Sequence, residues 1–364
     1  MINIQEEIAN HPVNLVEDSD LINNIKSLLG DGKTLIVTSE GFMRRGTISI
    51  LENQFETDEI FIIHNISPNP SIEEIDEITK IYKKKGIKNI IALGGGSVMD
   101  SAKALSVTLR ENEISLNQKF RLGENLINSK SLFLIAIPTT AGSGSEVTQY
   151  ATIWDKKYKK KYSLAGKNIF PDIALLCPEL TTTLSSENTL YPALDTISHS
   201  MESLWNKNST EHSKEFSRES LKLSLINLPK ALEDPNNLTF RAELQRASAL
   251  AGFGISITKT ALAHSISYPL TASYNIPHGL ACSFSLIEIY NLLKEKNAID
   301  DDLLDEIIIL IKQFDLPSKL LELITPQQIN ALVPEMYNPE RADNFLLNIN
   351  MDDIYKIITN SFLK

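Results

Sequence analysis

Cysteine is almost missing from this chain. Only Cys177 and Cys282 occur in 364 residues, and there is no CxxC pair. No disulfide framework or cysteine zinc site can be read from that, and a reducing compartment fits. Long apolar runs are missing too. No window approaches the roughly 20 residues that a membrane helix needs, and the opening MINIQEEIANHPVNL has no apolar run of the signal-peptide kind. The expectation is a cytoplasmic protein. A basic stripe is the third absence. Lys plus Arg number 35 against 46 Asp plus Glu, for a net charge of −11 and a pI near 5.2. That balance disfavours nucleic acid or an anionic membrane as partner. The short runs Lys83–Lys85 and Lys156–Lys161 read as a solvated helix end and a loop.

What is present is ordinary for a globular chain: 42% hydrophobic and 22% charged residues. The length exceeds what one core usually serves, so two domains are expected. In the first half, apolar runs alternate with helical patterns. TLIVT, EIFIIH, KNIIALGGG and SLFLIAIPTT read as buried strands. SIEEIDEITKIYKKKG and SVMDSAKALSVTL read as helices, the first stopped at Gly86. Strand and helix in alternation imply a parallel sheet with helices on its faces. YATIWDKKYKKKYSLAG reads as a hairpin around a lysine-rich turn. After about Pro178 strand-like runs nearly vanish and helical periodicity takes over, through to an amphipathic tail from Asp301 to Lys364. The expected architecture is an α/β nucleotide-binding domain over 1–180 and an all-α domain over 181–364.

Two loops suit a phosphate. Gly94, Gly95, Gly96 and Ser97 stand directly between a strand and a helix. Glycines admit a close ligand, and the helix start offers free N–H groups and a positive dipole end. The pattern is not GxGxxG, and an ordinary tight turn is the alternative, but three glycines in a row are entropically costly, which favours phosphate. PTTAGSGSEVT (Pro138 to Thr148) also follows an apolar strand and brings the hydroxyls of Thr139, Thr140, Ser143 and Ser145. Parallel sheets bind ligands at the carboxyl ends of their strands, so two such loops suggest one shared ligand.

Histidine is scarce as well, at six residues, which makes its placement informative. ALDTISHSMES puts Asp195 and His199 at i and i+4, on one helix face. His264 and His278 lie fourteen residues apart among small and apolar neighbours, His278 in the turn-like NIPHG. A lone Asp–His pair is usually a surface pair. As a set, one aspartate and three histidines make a compact N/O site for a divalent ion with room for substrate. His11, His64 and His212 have no such company.

The ordered motifs GGGSVMDSAK, IPTTAGSGSEVT, ALDTISHSMES and AHSISYPL…YNIPHG resemble the iron-containing (group III) alcohol dehydrogenase family over nearly the whole chain. The resemblance implies a Rossmann-like first domain for a nicotinamide dinucleotide, a helical second domain for the metal, and hydride transfer between nicotinamide and a small alcohol or aldehyde. It implies Asp195, His199, His264 and His278 as metal ligands, with Gly95, Gly96, Ser97 and Asp100 at the pyrophosphate. It places Thr139, Thr140 and Ser143 along the cofactor and Lys161 close to it. Zinc outranks ferrous iron at N/O sites, whereas the family name argues for iron, so both remain open. Members commonly pair through the first domain, which implies a homodimer.

Three departures bear on specificity. Many members carry a histidine four residues after the third ligand as a proton relay; here that position is Tyr268. NAD-specific members often end the first strand in an Asp that meets the ribose; here Ser39 stands there, then Glu40, with Arg44 and Arg45 beyond. The missing acid and the two cations favour NADP(H), and Glu40 pulls the other way. Lys259 lies five residues before His264, where many relatives have a small residue. With KKYSLAG and ISYPLT it resembles the phosphonoacetaldehyde reductase (2-hydroxyethylphosphonate dehydrogenase) branch, in which a cation would meet an acidic substrate. On a continuous helix, however, five residues turn it about 140° from the ligand's face. A glycerol-type or short-chain enzyme with a neutral substrate is the alternative. A dehydroquinate synthase-like cyclase shares the architecture but needs a dense basic pocket, and usually a Glu at position 195; neither is seen.

Overall fold

The computed structural model of the chain describes residues 3–110, 112–126, 131–158 and 160–362. Lys159 of the lysine-rich turn and residues 363 and 364 of the expected helical tail lie outside the described residues. The chain divides into two compact units. One comprises Ile8–Thr140 and Ser145–Thr181; the other comprises Met1–Glu7, Ala141–Gly144 and Thr182–Lys364.

The first unit is built on a parallel six-stranded sheet. Its strands are β1 (Asn14–Val16), β2 (Lys33–Thr38), β3 (Ile60–Ile63), β4 (Ile87–Gly94), β5 (Phe133–Pro138) and, after a separate antiparallel hairpin of β6 (Tyr150–Asp155) and β7 (Lys160–Ala165), β8 (Ile173–Leu175). The order across the sheet is β1-β8-β5-β4-β2-β3. Central strands read as unbroken apolar runs because both sheet faces are covered. Side chains alternate between the faces: Leu35 and Val37 join one buried cluster with Ile90 and Leu134, while Ile36 joins another with Ile91 and Ile135. Helix α1 (Ile72–Tyr82) starts where Ser71 Oγ accepts from Glu74 N–H at 3.3 Å. It ends at Lys83, and the chain turns at Gly86, whose φ is +76°. Helix α2 (Gly96–Thr108) leaves β4 with Gly95 as its N-cap. Gly94 pairs with Pro138 in register, so both glycine-containing loops leave from adjacent strand ends.

The second unit is helical. Among the described residues after Leu175, the one extended pairing is an isolated bridge between Asn206 and Phe345. Helix α3 (Ser186–Leu204) is capped by Ser185 Oγ, which accepts from Asn188 N–H at 3.2 Å. It packs with α4 (Glu211–Glu233) and α5 (Leu238–Thr258), where small hydroxyls replace apolar bulk. Ser200 Oγ donates to Ser220 Oγ at 2.8 Å, and Ser220 Oγ donates to Ala247 O at 2.7 Å. Then follow α6 (Leu262–Tyr274) and the short α7 (His278–Ser283). His278, expected in a turn, opens α7 directly after Pro277. No helix among the described residues is long and apolar enough to cross a membrane.

Gly279 makes the contact between α3 and α7 possible. A Cβ there would lie 1.7 Å from the Tyr191 carbonyl oxygen. Gly279→Ala is therefore expected to cost roughly 3 kcal/mol or more, the upper end for overpacking. Gly86→Ala meets open space and should cost only its left-handed backbone penalty, roughly 1–2 kcal/mol. Thermal melts of the two variants test this order; equal shifts would contradict it.

Candidate metal centre and nucleotide loops

Helix α3 carries Asp195 and His199 one turn apart, and both face inward. Helix α6 brings His264, and the first turn of α7 brings His278. Nε2 of His199, His264 and His278 lies 3.5, 3.3 and 3.8 Å from Asp195 Oδ1. The His199 and His264 rings stack at 4.7 Å, and His278 meets His264 edge-on at 5.2 Å. Three of the four side chains are buried; His278 is 40% exposed. The structure thus brings together all four residues that the sequence nominated.

Electrostatics shows what the cluster is short of. Burial opposes charge on Asp195, yet the imidazoles of His199, His278 and His264 hold its carboxyl below the ordinary range. Behind His264 stands a second buried carboxylate, Glu202, also held low against burial, chiefly by His264. Burial drives His199 down. At His264 burial acts the same way, but Glu202 and Asp195 outweigh it and lift the ring to about 9. A pocket that draws a proton onto a buried imidazole lacks positive charge, and a divalent cation supplies it. Geometry agrees. Nδ1 of His264 is committed to Glu202 Oε2 at 2.5 Å, while its buried Nε2 makes no hydrogen bond. A ring held this way presents a lone pair at Nε2, the arrangement found in carboxylate–histidine–metal sites. The residues present fit a divalent metal.

Of the two loops nominated for the nucleotide, residues 94–97 lie in the first unit, whereas Ala141–Gly144 of the second loop belongs to the helical unit. A Cβ on Gly95 would stand 3.3 Å from Thr140 Oγ1, so the two loops touch there. Gly96 opens α2, and Ser97 Oγ accepts from Asn69 N–H at 3.2 Å. Ser145 Oγ donates to Asp100 Oδ1 at 3.2 Å. Burial pushes the Asp100 carboxyl up, against the nearby charges of Lys103 and Lys161. Asp100 and Lys161 are thereby within electrostatic reach of each other, and Lys161 Nζ lies over the Trp154 ring at 5.8 Å. Thr139 is buried; Thr140 and Ser143 are half-buried, Ser143 in the Ala141–Gly144 segment. Ser39 caps a short helix, where Glu40 pairs with Arg44 at 3.4 Å and Arg45 lies on the Phe42 ring.

Family models confirm the resemblance. The model for iron-containing alcohol dehydrogenase matches residues 12–178, and its C-terminal companion matches residues 189–301. The chain belongs to the iron-containing alcohol dehydrogenase family. It is an oxidoreductase of that metal- and nicotinamide-dependent class. Sulfoacetaldehyde reductase of Bilophila wadsworthia is 34% identical over 72% of this chain and 67% of that protein. Phosphonoacetaldehyde reductase of Streptomyces viridochromogenes is 34% identical over 54% of this chain and 51% of that protein. The crystal structure of sulfoacetaldehyde reductase from Bifidobacterium kashiwanohense in complex with NAD+ superposes with a TM-score of 0.86 at 26% identity, over 97% of this chain and 98% of that one.

In this family member, three features escaped the sequence reading. Glu202 lies three residues after His199 on the same helix face, and that spacing could have revealed it. Cys282, set aside at the sequence level, joins the centre. Its Sγ lies 3.4 Å from Asp195 Oδ1, and it groups with Asp195, His264 and His278 as a possible ligand atom. Burial and the Asp195 charge push its thiol well up, so it sits there as a donor. Lys103, fully buried, donates to Ser145 Oγ, Thr148 O, Thr148 Oγ1 and Tyr150 O, tying α2 to the start of β6. Lys259 and His264 are not on one helix, as the 140° argument assumed. Lys259 ends α5 with φ +63°, its side chain exposed, and α6 starts afresh at Leu262.

Glu202→Gln is expected to weaken metal binding about 10- to 100-fold, the usual effect of removing a carboxylate behind a ligating imidazole. Competition against a chelating dye measures it. An affinity equal to the parent's would mean that Glu202 does not orient His264.

Proposed function

We propose that the chain reduces a small anionic aldehyde to its alcohol with NAD(P)H, at a divalent iron or zinc ion held by Asp195, His199, His264 and His278. The observation that carries this reading is the convergence of three imidazole Nε2 atoms on one buried carboxylate oxygen. When bound, the dihydronicotinamide supplies the hydride and the cation acts as a Lewis acid on the substrate oxygen. Gly95, Gly96, Ser97 and Asp100 would hold the pyrophosphate, with Thr139, Thr140, Ser143 and Lys161 along the rest of the nucleotide. The α2 N-terminus favours the phosphate charge.

The chain's own side chains then have separate tasks. Glu202 keeps His264 oriented through Nδ1. His278 is the half-exposed member of the set, so substrate approaches from its side. Tyr268, half-buried one helical turn after His264, carries the proton at Oη. In reduction the carbonyl carbon gains the hydride and its oxygen gains that proton, which solvent restores to the phenol. Support for an anionic substrate comes from the two relatives named for sulfoacetaldehyde and phosphonoacetaldehyde. The missing acid at Ser39 supports acceptance of NADPH.

A panel of phosphonoacetaldehyde, sulfoacetaldehyde and propanal, each with NADH and NADPH after loading with ferrous iron or zinc, tests the reading. We expect the anionic aldehydes to give the higher kcat/KM, and NADPH to be used at least as well as NADH. Preference for propanal would return the enzyme to the neutral class. Tyr268→Phe should lower kcat by about 10²-fold or more and change the pH–rate profile. An unchanged rate and profile would end the relay assignment.

A further inference from the structure

An anionic aldehyde needs a cation near the centre, and the exposed Lys259 is a weak candidate because solvent screens it. A better-placed cation lies late in the sequence, in MYNPERADNF. Asn338 caps the one-turn helix α8 (Pro339–Ala342), its side chain accepting from Glu340 N–H at 3.0 Å. This segment is strapped onto the helices that carry the metal ligands. Ser265, adjacent to His264, donates through Oγ to Met336 O at 2.6 Å and accepts from Asn338 N–H at 2.8 Å. Past α8, Asn344 Nδ2 donates to Thr260 O at 2.9 Å, Lys207 N–H to Asn344 O at 2.8 Å, and Leu346 N–H to Trp205 O at 3.0 Å. Helix α8 packs on α6.

Arg341 is carried between these ties. It is half-buried, and its guanidinium forms no hydrogen bond or ion pair with any described residue. Burial alone pulls its pKa below the ordinary arginine range, and the charges that act back on it are Glu202, its neighbour Glu340 and Tyr268. None of these pairs with it. Both Glu202 oxygens are already taken, Oε1 by Ala263 N–H and His264 N–H and Oε2 by His264 Nδ1. Glu340 is exposed. Tyr268 is the residue we assign to proton delivery. A half-buried guanidinium without a protein partner is a ready site for an anion. It is kept here within electrostatic reach of the carboxylate behind His264 and of the phenol one turn along.

We propose that Arg341 is the specificity-determining residue that binds the phosphonate or sulfonate group of the substrate. The proposal rests on the anionic-aldehyde reading above. The planar fork of a guanidinium meets two oxygens of a tetrahedral anion at once, which an ammonium cannot do. One methylene separates phosphorus or sulfur from the carbonyl carbon in such substrates. An anchored anion therefore places the reacting carbon beside the metal ligands.

Arg341→Gln and Arg341→Lys test the assignment in the metal-loaded, full-length enzyme. Arg341→Gln should lose about 100-fold in kcat/KM on phosphonoacetaldehyde and sulfoacetaldehyde, as expected for truncating one partner of a buried charge pair, and change little on propanal. Arg341→Lys should recover part of the loss. Ethylphosphonate, which cannot react, should bind the parent in calorimetry and compete with propanal, and both effects should vanish in Arg341→Gln. An equal fall on propanal would mark Arg341 as merely structural and overturn the proposal, as would undiminished ethylphosphonate binding. If the parent favours propanal yet binds ethylphosphonate through Arg341, the substrate reading fails and the anion site stands.

Discussion

The helical unit is organised around a shortage of positive charge. Asp195 and Glu202 are carboxylates on one helix, both removed from water, and a buried carboxylate survives only with compensation. Three imidazoles supply part of it by gathering on Asp195 Oδ1. The remainder is what a divalent ion brings. Much nearby structure follows from holding three rings on one point. Gly279 lets α7 lie against the Tyr191 carbonyl and so delivers His278. The serines between α3, α4 and α5 let the helices close up, with Ser200 and Ser220 linked through to Ala247 O. The buried hydroxyls of Ser203, Ser217, Ser224 and Ser248 serve as small packing groups without a hydrogen-bond partner among the described residues. Glu202 gives His264 one orientation rather than two.

The sheet unit solves a different problem with the same economy of side chains. β4 and β5 end side by side, and the glycines there permit close packing: a Cβ on Gly94 would lie 2.6 Å from Val98, and one on Gly95 would lie 3.3 Å from Thr140 Oγ1. Lys103 then holds the exit of the second loop through four acceptors. A buried lysine with that many partners is a structural bolt. Its contribution to the proposed nucleotide site is indirect, through the backbone that Ser145 and Thr148 position.

Substrate choice is a separate layer laid over this machinery. The four side chains proposed to hold the metal do not distinguish one aldehyde from another; a cation on the segment packed against them can. The two candidates differ in physical setting more than in charge. Lys259 ends a helix in open solvent, whereas Arg341 sits half-desolvated on a strap tied to α6. Desolvation makes a charge selective, because any bound anion is then attracted with less screening.

Local rules sufficed for a good part of this protein. Unbroken apolar runs marked the strands, helical periodicity marked α1 and α3, and the i, i+4 spacing put Asp195 and His199 on one face, because these patterns depend only on neighbouring residues. The residue types at the centre were legible for the same reason: six histidines are few enough for their company to be informative. What required tertiary structure was everything that joins distant segments. Glu202 reaches His264 across 62 positions, and Cys282 reaches Asp195 across 87. The segment that carries Arg341 is tied to α6 through hydrogen bonds of Met336 and Asn338 to Ser265, spanning more than 70 positions. The break between Lys259 and His264 was likewise invisible, since apolar periodicity runs on through Thr260 and Ala261 while the backbone turns left-handed at Lys259. Periodicity reports which face of an element is buried; only the packed chain decides what that face is buried against.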